Sequence, residues 1–174
     1  MRAEVRMGEL FSRRKLSDLR LLTSDIFPRF AALIISMATD ILNQLKETAK
    51  FLQAQYANKP TVGIVLGSGL GNFIDEIEVE KEVAYADIPH FPVSTVEGHK
   101  GKLVFGKLSG KTVVAMAGRF HYYEGYSAQD VVFPIRVMKL LGVETLLLSN
   151  AAGAVNANYK VGDIMIIRDH ISFF

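Results

Sequence analysis

The sequence predicts an α/β domain with a mixed, partly parallel central sheet flanked by helices. Three observations predict it. Thr61–Leu66 is a short, nearly all-apolar run, as expected of a strand buried on both faces. Stretches with apolar residues every three or four positions lie before it, from Asp40, and after it, from Ala128. Polar loops rich in glycine and small residues follow the ends of the apolar runs, and sheets of this class bind ligands at the carboxyl ends of their strands.

Residues 1–36 read unlike the rest. They hold seven Lys/Arg against four Asp/Glu, and a short apolar run, Phe30–Ile35. A secretory signal is disfavoured, because Asp18, Asp25 and Arg29 interrupt the stretch that should be apolar. Ser12-Arg13-Arg14 resembles a twin-arginine signal, and the same charges count against it. The expectation is a basic extension, disordered or non-native, ahead of a body that starts at Met37 and runs to 174.

The elements follow in order. Ile41, Leu45, Ala49, Leu52 and Tyr56 form one helical face, with Asn43, Lys46, Glu47 and Lys50 opposite and Asp40 as N-cap. Asn58-Lys59-Pro60 stops this helix, since the residue before proline avoids the helical region. Thr61–Leu66 is the first buried strand. Val79–Tyr85 carries more charge and belongs near a sheet edge, and Ile88–Gly101 is a long loop. Lys102–Leu108 and Thr112–Ala117 flank Ser109-Gly110, a hairpin signal. Ala128–Leu141 is a helix with Val131, Val132, Ile135, Met138 and Leu141 inward, ended by Gly142. Pro134 kinks it or marks its true start. Glu144–Ser149 is a second buried strand and Ile164–Ile167 a third.

Composition bounds the function. The chain has 174 residues, 49% hydrophobic and 22% charged, which excludes a disordered polypeptide. Zero cysteines exclude a disulfide scaffold, a thiolate metal site and a cysteine nucleophile. Net charge is +2, and the basic excess sits within residues 1–36. The body has no cationic surplus to favour nucleic acid. No apolar stretch approaches the ~18 residues of a membrane span. The four histidines are widely spaced without HExxH, so no metal site is expected. Ser68 sits in Gly-Ser-Gly, not in the Gly-x-Ser-x-Gly elbow of a serine hydrolase. Met116 and Met138 read as core.

Three loops carry the chemistry. Gly67-Ser68-Gly69-Leu70-Gly71 lets backbone N–H groups approach an anion, with the Ser68 hydroxyl beside them. It is neither a dinucleotide fingerprint nor a Walker loop; the alternative is a tight strand-to-helix turn. Gly118–Gly125 holds Arg119, a planar double donor suited to phosphate, and His121 two residues on, on the same side of an extended segment. The alternative there is a surface loop with an Arg119–Glu124 salt bridge. Ser149-Asn150-Ala151-Ala152-Gly153 has small residues that let a ligand lie on the backbone. The alternative is a crowded turn.

Six blocks in this order, VLGSGLG, HFPVSTVEGHKGKLVFG, AGRFHYYEGY, FPIRVMKLLG, LLLSNAAG and VGDIMIIRDHIS, resemble the trimeric class of purine nucleoside phosphorylases from about Met37 onward. The resemblance implies a nucleoside phosphorylase-like fold. It implies phosphorolysis of purine nucleosides to free base and (deoxy)ribose 1-phosphate, in a cytoplasmic homotrimer. It implies no cofactor and no membrane or nucleic-acid partner, with inorganic phosphate as co-substrate. By motif, Ser68, His99, Arg119, His121 and the Ala151 backbone N–H hold phosphate, with Arg119 and His121 catalytic. Tyr123 contacts the sugar, and Glu124 and Asn150 support from behind. The alternatives are a methylthioadenosine phosphorylase, disfavoured by the glycine loop and the Arg-His segment, and a non-catalytic phosphate- or nucleoside-binding fragment.

Two departures from the family pattern carry expectations. Ala154 stands where the family usually has glycine, and its methyl group would strain a backbone needing positive φ. The chain ends at Phe174, whereas family members continue with their purine-recognising Glu and Asn, a later phosphate-binding Ser and a sugar-contacting His. The expectation is a truncated fold that binds phosphate weakly and turns over poorly.

Overall fold

Among the described residues five strands form one sheet, and the first of them in the chain lies inside it, one place from an edge. The structure, a computed structural model, describes residues 16–67, 69–92 and 101–171, with side chains from Pro28 onward except Met37. The strands are β1 (Val62–Val65), β2 (Glu78–Ala84), β3 (Lys102–Leu108), β4 (Lys111–Ala117) and β5 (Thr145–Leu148). Their order across the sheet is β2-β3-β4-β1-β5. β1 is parallel to β4 and to β5, with Val62 opposite both Val113 and Thr145. β3 is antiparallel to both β2 and β4. The sheet is therefore mixed and partly parallel, as the sequence predicts.

β1 alternates between two apolar layers. Val65 joins Leu103, Phe105, Val114 and Met116 beneath the helices. Ile64 and Leu66 join Val104, Val113 and Ala115 on the other face. That face is covered by Phe73 and Ile74 from a three-ten turn over Gly71–Glu76. β2 lies at the edge expected from its charge, and its outer Glu82 pairs with Lys102 at 2.7 Å.

Two helices cover the first face. α1 spans Leu16–Gln55, so it does not begin at the predicted Asp40 cap. Asp40 sits inside it, its carboxylate accepting from Gln44 Nε2 at 3.1 Å one turn on. Residues 1–15 lie outside the described residues. Among the described residues, α1 reaches the core through Leu45, Thr48, Ala49 and Leu52, while Phe30, Leu33, Ile34 and Ile35 are exposed. The Thr48 hydroxyl donates to the Pro89 carbonyl at 2.8 Å and so ties the loop after β2 to α1.

α2 spans Ala128–Leu141 and has the predicted bounds. Ser127 caps it, accepting from the Asp130 N–H at 3.2 Å, while the Asp130 carboxylate accepts from the Ser127 N–H at 3.0 Å. Gly142 closes it at φ 110°, a conformation costly for any side chain. Pro134 is interior, not the start. The inward face is Phe133, Pro134, Val137, Met138 and Leu141, and Val132 points outward, contrary to expectation. Val131 and Ile135 are partly buried and pack against the core as predicted, so only Val132 fails, and the stripe is wider than expected because it also takes in Phe133, Pro134 and Val137.

The chain beyond β4 and α2 departs most from expectation. β5 pairs with β1 but is exposed, with Leu148 at 69%, so Glu144–Ser149 is not a buried strand. Ile164–Ile167 forms no strand: it has no ladder partner among the described residues, and Ile166 is 93% exposed. Ala154 takes no positive φ, so the expected strain is absent. The segment from Asn150 to Ile171 is exposed throughout. Among the described residues, no helix is long and apolar enough to cross a membrane.

Candidate phosphate site

β4, β1 and β5 are adjacent and parallel, so their carboxyl ends open on one edge. Gly67 follows β1, Arg119 follows β4 and Ser149 follows β5. The sequence singled out these three loops separately, and the parallel pairing brings them together.

Hydrogen bonds join them. The Gly67 N–H donates to Ser149 Oγ at 2.9 Å, and the Ser149 hydroxyl donates to the Val65 carbonyl at 3.1 Å. The approach is close enough that a Cβ on Gly67 would lie 2.7 Å from the Ser149 carbonyl oxygen. Arg119 Nη1 donates to that same carbonyl at 2.8 Å. Ser149 thus touches the end of β1 and the arginine that follows β4, a role its place in the SNAAG block did not reveal. The only sequence signal was its position directly after β5.

Arg119 and His121 lie on one side of the extended segment, as predicted. Arg119 Nε donates to His121 Nε2 at 2.8 Å. Nε2 therefore presents its lone pair, and Nδ1 carries the ring proton and donates to Glu124 Oε1 at 2.9 Å. Glu124 also accepts from the His121 backbone N–H at 3.2 Å. In place of the alternative Arg119–Glu124 salt bridge stands this chain, in which Glu124 grips the histidine and the histidine faces the guanidinium. Three residues of spacing across a three-ten turn over Tyr122–Glu124 bring the carboxylate back onto the ring.

Tyr123 is 81% exposed and stacks on the His121 ring, centroids 4.7 Å apart. Asn150 and Ala151 are exposed just past Ser149, with Asn150 Nδ2 on the Ala151 carbonyl at 3.4 Å. Ser68 and His99 lie outside the described residues. From the interior, Tyr85 donates its hydroxyl to the Gly118 carbonyl at 2.6 Å, immediately before Arg119. Burial raises this phenol's pKa, so it stays a donor. Its ring packs against Phe91 and Phe120, each about 5.2 Å away between centroids. Sequence reasoning missed this buried support, because a tyrosine closing an edge strand looks like any other.

The arrangement sets one guanidinium and one imidazole beside an open strand edge. Such a set favours a small oxyanion. The sequence matches the phosphorylase superfamily over residues 61–174. The chain belongs to the phosphorylase superfamily.

Within this superfamily the chain is similar to purine nucleoside phosphorylase 1 of Geobacillus stearothermophilus, 58% identical over 128 residues, or 74% of this chain and 47% of that protein. It is similar to the solved purine nucleoside phosphorylase of Schistosoma mansoni in complex with acetate. That match has a TM-score of 0.67 at 50% identity, covering 70% of this chain and 44% of the other. A purine nucleoside phosphorylase solved with ribose-1-phosphate matches with a TM-score of 0.64 at 50% identity, covering 70% and 45%. The chain spans about half the length of the curated relatives it matches.

Proposed function

We propose that this chain carries the phosphate half of a purine nucleoside phosphorylase. In that reading the enzyme cleaves purine nucleosides with inorganic phosphate, giving free base and (deoxy)ribose 1-phosphate. One observation carries it: Arg119 and His121 converge with the ends of β1 and β5 on a single edge. Identity of about half or more to purine nucleoside phosphorylases over this region supports the substrate class.

The roles follow from chemistry. Phosphate is the nucleophile and must be held beneath C1′ of a sugar that becomes oxocarbenium-like. Arg119 supplies charge-assisted hydrogen bonds, about twice as strong as neutral ones. Phosphate would accept from the remaining guanidinium N–H groups of Arg119, and a monoprotonated phosphate that displaces the Arg119 Nε contact can donate its proton to the freed His121 Nε2. Glu124 fixes the tautomer that makes this possible. Ser68, His99 and the Ala151 N–H complete the cradle, Tyr123 walls the sugar, and Asn150 steadies the last loop. Holding the nucleophile in line contributes up to ~7–11 kcal/mol of barrier reduction. The reaction needs no metal or organic cofactor. Residues 37–174 form the phosphorylase part, and the homotrimer and the cytoplasmic setting belong to the same proposal.

The test has two arms. Inorganic phosphate should broaden its own 31P resonance on addition of the chain, and Arg119→Ala should abolish the effect. Hypoxanthine release from inosine should require phosphate wherever it occurs. No phosphate binding, or release that proceeds equally without phosphate, would sink the reading.

A further inference from the structure

We propose that Ser149 is a positioning residue that holds the phosphate-binding loops after β1 and β4 in register, an inference that rests on the phosphate reading above. Its side chain and its carbonyl act on different neighbours. The hydroxyl bridges β1, accepting from the Gly67 N–H at 2.9 Å and donating to the Val65 carbonyl at 3.1 Å. The carbonyl receives Arg119 Nη1 at 2.8 Å. One residue therefore fixes where the glycine loop leaves its strand and where the guanidinium points.

The contact leaves little freedom. Gly67 is buried, and a Cβ there would meet the Ser149 carbonyl at 2.7 Å and its Oγ at 3.3 Å. Without the hydroxyl, the buried Gly67 N–H loses its acceptor, and an unsatisfied buried donor drives local rearrangement. The backbone that must move is the one gripping Arg119. Geometry at the phosphate then loosens although no group touching phosphate has been removed. Ser149 acts through Gly67 and Arg119, and so differs from Arg119 itself.

The experiment measures the dissociation constant for inorganic phosphate, and the melting temperature, for the full chain and four variants. Ser149→Ala should weaken phosphate by about fivefold to tenfold, the effect expected for one hydrogen bond. Ser149→Thr keeps the hydroxyl and should restore affinity to within about twofold. Gly67→Ala presses on the same contact from the other strand and should weaken phosphate comparably, which keeps the test decisive if Ser149→Ala fails to fold. Arg119→Ala should lose binding altogether. Unchanged affinity in Ser149→Ala and Gly67→Ala, with only a lowered melting temperature, would overturn the positioning role. A wild-type chain that binds no phosphate would instead overturn the reading beneath it.

Discussion

The β3–β4 hairpin and the stretch from β5 to Ile171 both carry apolar runs, yet they stand at opposite extremes of burial. Met116 is 2% exposed and Val114 0%, whereas Ile166 is 93% exposed and Val161 fully so. Hydrophobicity alone does not separate them. The β4 run TVVAMA has strands on both sides and an apolar layer on each face. TLLL has one neighbouring strand, and IMII has none among the described residues. An apolar run becomes core only where ladders and a covering layer meet it, and one missing neighbour is enough to leave leucines in water.

Mutations sharpen this contrast. The largest effect belongs to Phe105→Ala in the packed region, where the ring is 1% exposed and lies against Tyr56 at 5.0 Å between centroids. It should cost about 3–5 kcal/mol by urea unfolding. Gly142→Ala forces a side chain into φ 110° beside Lys59 and should cost about 1–2 kcal/mol in the same assay. Ser127→Ala removes the α2 cap for about 1 kcal/mol.

A pH effect on the packed side is smaller. The Glu80 carboxyl is held below its ordinary value first by the hydrogen bond from the Tyr56 hydroxyl. A depressed folded value means the contribution is present above about pH 4.5 and fades as pH falls below it. Tyr56→Phe should flatten that acid limb of the melting-temperature profile. The smallest effect is Ile166→Ala, expected within about 0.5 kcal/mol of wild type. A loss there as large as that of Phe105→Ala would break the comparison outright.

The sequence carried much of the fold because its signals were local. The Ser109-Gly110 turn placed the hairpin, and Ala128–Leu141 announced both its length and its Gly142 stop. The charge of β2 marked an edge. What failed depended on neighbours. Whether Glu144–Ser149 and Ile164–Ile167 are buried depends on which strands lie beside them, and no local pattern encodes that. The helix before Tyr56 ran past Asp40 because a good N-cap type is no obstacle inside a helix when its side chain finds Gln44. In the site, the pairing of Arg119 with His121 was legible from a spacing of two. The convergence with Gly67 and Ser149 was not, since it arises only from the parallel order β4-β1-β5. Tyr85 and Ser149 were hidden for the same reason: their importance lies in which carbonyl each one reaches.

The position of β1 between β4 and β5 also sets a schedule for synthesis. β1 emerges before its neighbours, yet the Thr61 N–H waits 51 residues for the Thr112 carbonyl, and Gly67 waits 82 for the Ser149 hydroxyl. The β3–β4 hairpin, closed by two residues, can assemble locally while β1 is still unpaired. The nascent chain thus carries a naked apolar ribbon, Val62–Leu66, for the whole time that β2 and β3 are being made. Closure of those two long loops is the slow step, and a chaperone that recognises short extended apolar peptides would find its target there first.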